Sequence, residues 1–322
     1  MRRSGYRVIE KKRPFPDFLA AVDELAAAQD EVSRMIHRQL AEPTGVAKRN
    51  ILVLHAAEPV LATTLRLRAH FWEPATMTCA PFLELPHRRG HLEEALTAAG
   101  HEVMIPAYFG DSTAFRHSGR RPLDIYAMPL QAEFRSYWSE NTWRSVVKTR
   151  NKTADLAVAV DDPAALSFLV DQWLQMWGED PSDETGVADD LRAIWPELLA
   201  RGRLRTVTLV ADGRPVAGYA MGTQANTAIG LITARDRSWT RGSLGIRVLV
   251  EAMQAARAAG FESLELGGYF EYKQRFAPVS ETRYTIHQRP GGRARVESRV
   301  RRLRFLASRA RLKLRRIATS HR

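Results

Sequence analysis

The sequence predicts an α+β protein of two domains, in which mostly antiparallel strands are flanked by helices and a basic helix ends the chain. Its 322 residues are too many for one small compact domain, and 45% of them are hydrophobic, which suffices for buried cores. Short apolar runs bounded by turn residues indicate strands in both halves. Apolar residues at steps of three and four between those runs indicate the flanking helices.

The first half begins with a helix. Residues 16–40 carry apolar side chains at helical spacing, and Pro43 and Gly45 end the pattern. The elements predicted after it are strands at 51–56 and 60–67, a helix at 90–99 closed by Gly100, a strand at 102–106 and a loop at 110–122. We therefore expect a helical segment at 1–45 and a first unit at 46–135.

The second half contains the clearest pattern, an antiparallel meander. Asp212-Gly213 and Ala225-Asn226 provide its two turns. A helix over 243–259 follows, for which Ser243 is a suitable N-cap and Gly260 a suitable C′ residue. The other predicted elements are a basic helix from about residue 135, a strand at 156–160, a helix after Asp161, the meander strands at 205–211, 215–224 and 227–234, and strands at 263–267 and 282–288. The second unit is accordingly placed at 136–288.

Positive charge is concentrated in a tail at 289–322. This tail contains 13 Arg or Lys and one acid, a net of +12 that equals the net charge of the whole chain. Its apolar residues recur at steps of three and four: Val296, Val300, Leu303, Ala307, Ala310, Leu314 and Ile317. The pattern predicts a basic amphipathic helix over 293–318. An anionic membrane surface is its expected partner; docking on protein ranks second, and nucleic acid is the least favoured.

The sequence also predicts the cellular setting. No apolar stretch reaches the length of a membrane span, and no leader-like apolar segment follows Arg2 and Arg3. We expect a cytoplasmic protein that associates peripherally with the inner face of the membrane through its tail. Cys79, the only cysteine, is expected to be an ordinary buried thiol. His87 and His91 are four residues apart, but no third ligand is near, so no metal site is expected.

The start of the 243–259 helix is a candidate phosphate site. A helix N-terminus presents amides without intrahelical partners and about half a positive charge, which suits a pyrophosphate. The residues expected there are Arg241, Gly242, Ser243, Leu244 and Gly245. An ordinary capped helix is the alternative interpretation, because Ser before an apolar helix is common.

Four stretches of the second unit resemble one protein family. They are the basic helix from Tyr137 to Lys152, the hairpin LRTVTLVADGRPVAG at 204–218, the segment SWTRGSLGIRVL at 238–249 and the segment LELGGYFEYKQRF at 264–276. With the order of strands and helix, they resemble GNAT acyltransferases over about residues 136–288. The branch resembled is the one associated with cellulose and other exopolysaccharide biosynthesis, which is related to FemAB-type transferases. The usual signature Arg/Gln-x-x-Gly-x-Gly/Ala is not kept, because Trp239 and Leu244 take two of its places when its first Gly is aligned on Gly242.

The resemblance implies a mixed, mostly antiparallel GNAT sheet in two tandem units, of which the first is degenerate. It implies acetyl-CoA or another acyl-CoA as co-substrate and no metal. Residues 241–245 would hold the acyl-CoA together with Ile232 and Thr233. Glu265 stands where the family places its general base; Glu271 is the second candidate, and Tyr272 would donate a proton to the leaving thiolate. The residues proposed for acceptor binding are Lys273, Arg275, Arg144 and Lys148.

Each of these side chains also has a purely structural interpretation. Glu265 can face solvent or pair with an arginine, and Tyr272 can belong to the core. Lys273 and Arg275 can cover a surface turn, and Arg144 and Lys148 can lie on a solvated helix face.

The leading functional prediction is an N-acyltransferase that moves an acetyl or other acyl group, but not an aminoacyl group, from CoA to an amine of a sugar, a cell-envelope component or a small molecule. A FemAB-like transferase that uses aminoacyl-tRNA is one alternative. The other is a catalytically degenerate GNAT fold that serves as a scaffold at an anionic surface, which the altered signature favours.

Overall fold

The chain divides into two compact units. The computed structural model describes residues 5–27, 29–44, 46–68, 71–108, 115–177, 181–240, 242–266, 271–289, 295–304, 306–307 and 310. Unit 1 comprises residues 1–78, 83–121 and 285–322, and unit 2 comprises residues 79–82 and 122–284.

Unit 1 is built on a mostly antiparallel sheet. Its elements are β1 (Tyr6–Lys11), α1 (Pro16–Ala26), α2 (Glu31–Ala41), β2 (Lys48–His55), β3 (Glu58–Arg68), β4 (Phe71–Pro74), α3 (Thr76–Cys79), α4 (Leu92–Ala99) and β5 (Val103–Tyr108). Strands β1 to β4 pair antiparallel in chain order, and β5 joins β4 in parallel. The core of this unit places α1, through Phe18 and Val22, against Leu52 and Ala62 of the sheet.

The N-terminal part of unit 1 differs from the prediction in two respects. Strand β1 was not predicted at all. The helix expected over 16–40 is interrupted, because Asp30 adopts an extended backbone and its side chain accepts a hydrogen bond from the Ser33 amide at 2.6 Å. This N-cap begins a second helix, so one predicted helix becomes two.

Unit 2 repeats the same architecture. Its elements are β6 (Gly119–Pro129), α5 (Glu140–Lys152), β7 (Ala157–Val160), α6 (Ala165–Trp177), α7 (Pro181–Ala200), β8 (Leu204–Ala211), β9 (Arg214–Gln224), β10 (Thr227–Arg235), α8 (Leu244–Ala258), β11 (Ser263–Glu265) and β12 (Val279–Gln288), with 3-10 turns at Phe134–Tyr137 and Glu271–Arg275. Strands β7 to β10 pair antiparallel, β11 joins β10 in parallel, and β6 joins β11 antiparallel.

The predicted meander of unit 2 is present, and its neighbours contain three differences. Helix α7 was not predicted. The basic helix begins at Glu140 rather than near Arg135, because Ser139 accepts a hydrogen bond from the Thr142 amide and caps it. The predicted 110–122 loop overlaps the start of β6.

When the four-residue helix α3 is set aside, β1 to β5 of unit 1 and β7 to β11 of unit 2 share one order of elements: a strand, two helices, three antiparallel strands, a helix and a final parallel strand. In unit 2 the last helix, α8, covers one face of the sheet, with Val248, Leu249 and Met253 packed against Leu264 of β11. The predicted α+β fold of two tandem units is therefore confirmed. Among the helices of the described residues, none combines the length and apolarity of a membrane span.

Candidate active site

The start of α8 carries the predicted phosphate-binding loop. Gly242 has a φ of 68°, a backbone conformation that favours glycine. A Cβ there would also lie 3.1 Å from Thr153 Cγ2, which is closer than most Cβ contacts. Ser243 occupies the N-cap position, but its side chain makes no capping hydrogen bond. The first intrahelical bonds run from the Ile246 and Arg247 amides to the Ser243 carbonyl, so the amides of Leu244 and Gly245 precede them. Arg241 lies outside the described residues.

The described pairing of the parallel strands β10 and β11 ends beside this helix start. It runs from Thr227 and Ser263 to Ile229 and Glu265, and β10 itself continues to Arg235. Just beyond the last pair, the register of β10 against β9 shifts between Gly230 and Ile232. A bulge of this kind places an extra residue, here Leu231, outside the ladder.

A cavity of about 430 Å³ occupies this region. Its walls come mainly from β10, the start of α8 and the second 3-10 turn. The lining residues are Tyr219, Thr233, Arg235, Ser243, Gly245, Ile246, Leu249, Leu266, Tyr272, Lys273, Arg275 and Phe276. Six residues singled out from the sequence thus meet at one cavity, whereas Arg235 and Tyr219 were missed. The side chains of Ile232 and Leu244 are buried instead.

Lys273 is an unusual residue in this cavity, because it is a lysine that is only 7% exposed. Its Nζ donates to the backbone carbonyl of Leu266, the first residue after β11. Burial lowers the pKa of Lys273 to about 8, and the Glu265 carboxylate opposes that shift. Burial likewise raises the pKa of the neighbouring Tyr272 phenol.

Glu265 is 4% exposed and is held in a bidentate ion pair. Arg283 Nη1 lies 3.0 Å from its Oε1, and Arg283 Nη2 lies 2.7 Å from its Oε2. Burial raises the pKa of the Glu265 carboxyl, and the Arg283 guanidinium opposes the rise. Arg283 was missed, because no sequence signal connects β12 with β11 across the intervening β6.

The Glu265 side chain faces a second cavity, of about 790 Å³. Ser263 and Glu265 alternate along β11 with Leu264 and Leu266, which belong to the core cluster that contains α8. The two cavities therefore lie on opposite faces of β11. The second cavity also contains carboxylates at its border, those of Glu262 and Glu281.

The remaining predicted residues lie elsewhere or cannot be described. Arg144 and Lys148 are exposed on α5 and line neither cavity, and Arg144 Nε pairs with Glu140 at 3.1 Å. Glu271 begins the second 3-10 turn, but its side chain is outside the described set. The described residues include no group of three or more His, Cys, Asp or Glu side chains that could hold a metal ion. Cys79 is buried, as predicted.

A family model matches the segment that contains this site. Residues 140–274 match the model described as an acetyltransferase (GNAT) domain. The match covers less than half of the chain, and it includes β10, α8, β11 and Lys273. No curated protein matches the chain at a significant level.

Solved structures share the fold over nearly the whole chain. A C-terminal DUF2156 domain, provisionally described as that of a lysylphosphatidylglycerol synthetase from Agrobacterium fabrum, has a TM-score of 0.52 at 16% identity and aligns over 87% of this chain and 93% of its own. L-PGS from Bacillus licheniformis has a TM-score of 0.54 at 13% identity, over 91% and 97%. A tandem GNAT protein from the clavulanic acid biosynthesis pathway has a TM-score of 0.45 at 13% identity, over 89% and 100%. At these identities the likeness extends to the fold alone, and the predicted GNAT-like fold is confirmed.

Proposed function

We propose that unit 2 is an N-acyltransferase that binds an acyl-CoA in the cavity beside β10 and the start of α8 and passes its acyl group to an amine. One observation carries the proposal: within the stretch that matches the GNAT model, a helix N-terminus opens onto a cavity beside β10, close to where the described pairing of β10 with β11 ends. A helix start attracts a pyrophosphate through its amides and its dipole. The cavity of about 430 Å³ beside β10 leaves room for the thioester arm.

The residues of the cavity supply the contacts that an acyl-CoA needs. The amides of Leu244 and Gly245 would donate to the pyrophosphate, and the Arg235 guanidinium, which lines the same cavity, would add charge-assisted contacts. The bulge at Leu231 places a backbone amide outside the ladder, where it would donate to the thioester carbonyl.

Transfer requires two proton movements, and Lys273 is the residue best placed for one of them. The acceptor nitrogen attacks the thioester carbon and loses a proton to solvent. The C–S bond then breaks, its electron pair stays on sulfur, and sulfur takes a proton from the Lys273 ammonium. With a pKa of about 8, this group is mostly charged at pH 7, and it releases its proton more readily than an ordinary lysine does. Glu265 can act as the base only when Arg283 releases one of the two Glu265 carboxylate oxygens.

The acceptor amine would approach from the larger cavity, on the Glu265 side of β11. The carboxylates of Glu262 and Glu281 at that cavity suit an ammonium-bearing acceptor. The motif resemblance to the exopolysaccharide-associated branch favours a saccharide or cell-envelope amine.

Aminoacyl transfer is the second candidate. The structural neighbour described as a lysylphosphatidylglycerol synthetase bears a name that couples a lysyl group with a phospholipid. The shared fold leaves the acyl donor open between acyl-CoA and an aminoacyl group.

Transfer assays test the proposal directly. The purified chain is incubated with acetyl-CoA and an amine panel containing glucosamine, ethanolamine and putrescine, while free thiol and acetylated product are measured. We expect amine-dependent thiol release, and a fall in kcat of about 100-fold in Lys273→Met with little change in KM. Arg214→Gln, on the exposed β8–β9 turn, is the matched control and should retain full activity. Transfer from lysyl-tRNA with none from acetyl-CoA or a longer acyl-CoA would favour the second candidate.

A further inference from the structure

The helix at 295–304 packs against the rest of unit 1 through its polar side chains. Ser298 is buried, and its hydroxyl donates to the Glu102 carboxylate. The Arg301 guanidinium lies over the Trp72 ring, 6.0 Å from the ring centroid. Since residues three apart share one face of a helix, Ser298 and Arg301 define the face that is turned toward the unit.

The apolar side chains of this helix point the other way. Val296, Val300 and Leu303 are 64%, 41% and 67% exposed. At about 100° per residue, these three positions lie roughly opposite to Ser298 and Arg301 around the helix axis. A helix in a globular protein normally buries its apolar stripe. In this helix the apolar stripe is exposed, and a polar face is turned toward the protein.

Arginines border the exposed apolar stripe. Arg299 falls on one side of the stripe and Arg304 on the other, and both are exposed, as are Arg295 and Arg302. The tail that contains the helix carries 13 Arg or Lys and a single acid. The surface therefore combines apolar groups with a strong excess of positive charge.

We propose that this face of the helix docks on an anionic lipid bilayer. The apolar stripe would enter the boundary between headgroups and acyl chains, and the bordering arginines would contact lipid phosphates. The other occupants fit less well. Nucleic acid offers phosphates to the arginines but no apolar layer to the stripe, and a second copy of the helix would place arginines against arginines.

Vesicle co-sedimentation with the full chain tests this inference. The probes are vesicles of phosphatidylcholine alone and of phosphatidylcholine with about one-third phosphatidylglycerol. We expect binding to the anionic vesicles only, weakened by added salt because the arginine contacts are screened. Arg299→Gln and Arg304→Gln should each weaken binding about fivefold. The double variant Val296→Asn with Leu303→Asn keeps the charge and should weaken binding at least about tenfold.

Matched controls separate the stripe from general effects. Val160→Asn and Arg214→Gln change an exposed apolar and an exposed basic residue outside the helix and should bind as the wild type does. Circular dichroism and thermal unfolding verify that each variant is folded. The inference is overturned if the stripe variant binds anionic vesicles as well as the wild type does, if neutral vesicles bind equally, or if the wild type binds no vesicles. Loss of self-association in the stripe variant without vesicle binding would assign the face to a second copy instead.

Discussion

Glu265 and Arg283 show how a predicted catalytic residue can have a structural partner. Removing one member of a buried ion pair leaves the other charge uncompensated, which typically costs about 3–5 kcal/mol. Arg283 also contacts Glu281, which moderates the effect. We therefore expect Glu265→Gln to lower the free energy of unfolding by about 3 kcal/mol, measured by urea denaturation.

The double variant Glu265→Leu with Arg283→Met is the informative control for this pair. It removes both charges and replaces them with apolar groups, so its stability should exceed that of the single variant. If Glu265→Gln were as stable as the wild type, the ion pair would contribute nothing measurable.

Lys273 provides a prediction on pH dependence. Burial lowers its pKa from 10.5 to about 8. Between these pH values the unfolded chain binds more protons than the folded chain, so stability rises with pH there. Below the folded pKa both states are protonated, and the cost of burying the charge is constant. From pH 7 to pH 9.5, we expect the wild type to gain about 2 kcal/mol of unfolding free energy relative to Lys273→Met.

Urea denaturation of both proteins from pH 5 to pH 9.5 measures this gain. The difference between the two proteins should stay constant from pH 5 to pH 7, which serves as the internal control. A difference that is also constant up to pH 9.5 would mean that the ammonium group is well hydrated.

At the scale of elements, the bulge in β10 depends on Gly230. A Cβ at this position would overlap the Tyr219 hydroxyl and lie 3.0 Å from the Glu265 backbone oxygen. We expect Gly230→Ala to lower the free energy of unfolding by about 1–3 kcal/mol, as overpacking does. Because part of the overlap is with the hydroxyl, adding Tyr219→Phe should restore some of the loss. Thermal unfolding of the single and double variants measures this, and no rescue would indicate that the backbone moves instead.

The elements that the sequence predicted correctly are specified locally. Asp212 and Gly213 both have positive φ, which these residue types tolerate, and the hairpin they form was predicted. Gly260 likewise ends α8 with a φ of 86°. Helix α7 was missed because its identity depends on packing against α6, in a segment that contains Pro181 and Pro196. The structure shows the alternative in which Glu265 pairs with an arginine, but Arg283 was not identified as the partner because strand order is not encoded locally.

At the scale of the whole molecule, the two units differ at the start of the helix that precedes the last parallel strand. In unit 2 the start of α8 lines a cavity. In unit 1 the equivalent helix, α4, begins after His91, whose ring lies 5.9 Å from that of Tyr6 and 5.2 Å from that of His55. Tyr6 also contacts His91 Nδ1 at 2.9 Å. Three ring side chains thus lie together at the helix start of unit 1.

The order of elements and the meander turns were sufficient to predict the sheet of unit 2 and helix α8, whereas the tandem arrangement was predicted from the resemblance to a family. The site was predictable in part: the helix start and the 272–275 segment were identified, whereas Arg235 and Tyr219 reach the cavity from strands whose sequences contain no phosphate or proton-transfer motif. The altered signature favoured a degenerate fold, and it does not report the backbone arrangement of β10 and α8 that forms the cavity.

Calorimetric titration of CoA into the wild type and two variants tests whether the start of α8 binds the pyrophosphate of an acyl-CoA. Gly245 lines the cavity, and a Cβ there would meet no protein atom within 4 Å, so Gly245→Leu should fold normally while its side chain occupies the space of the pyrophosphate. Ala258→Leu inserts the same side chain at the exposed far end of α8. We predict binding by the wild type and by Ala258→Leu, with affinity reduced at least about 30-fold in Gly245→Leu, equivalent to roughly 2 kcal/mol. Equal affinities in all three proteins, or no heat from the wild type at millimolar CoA, would show that CoA does not bind at the start of α8.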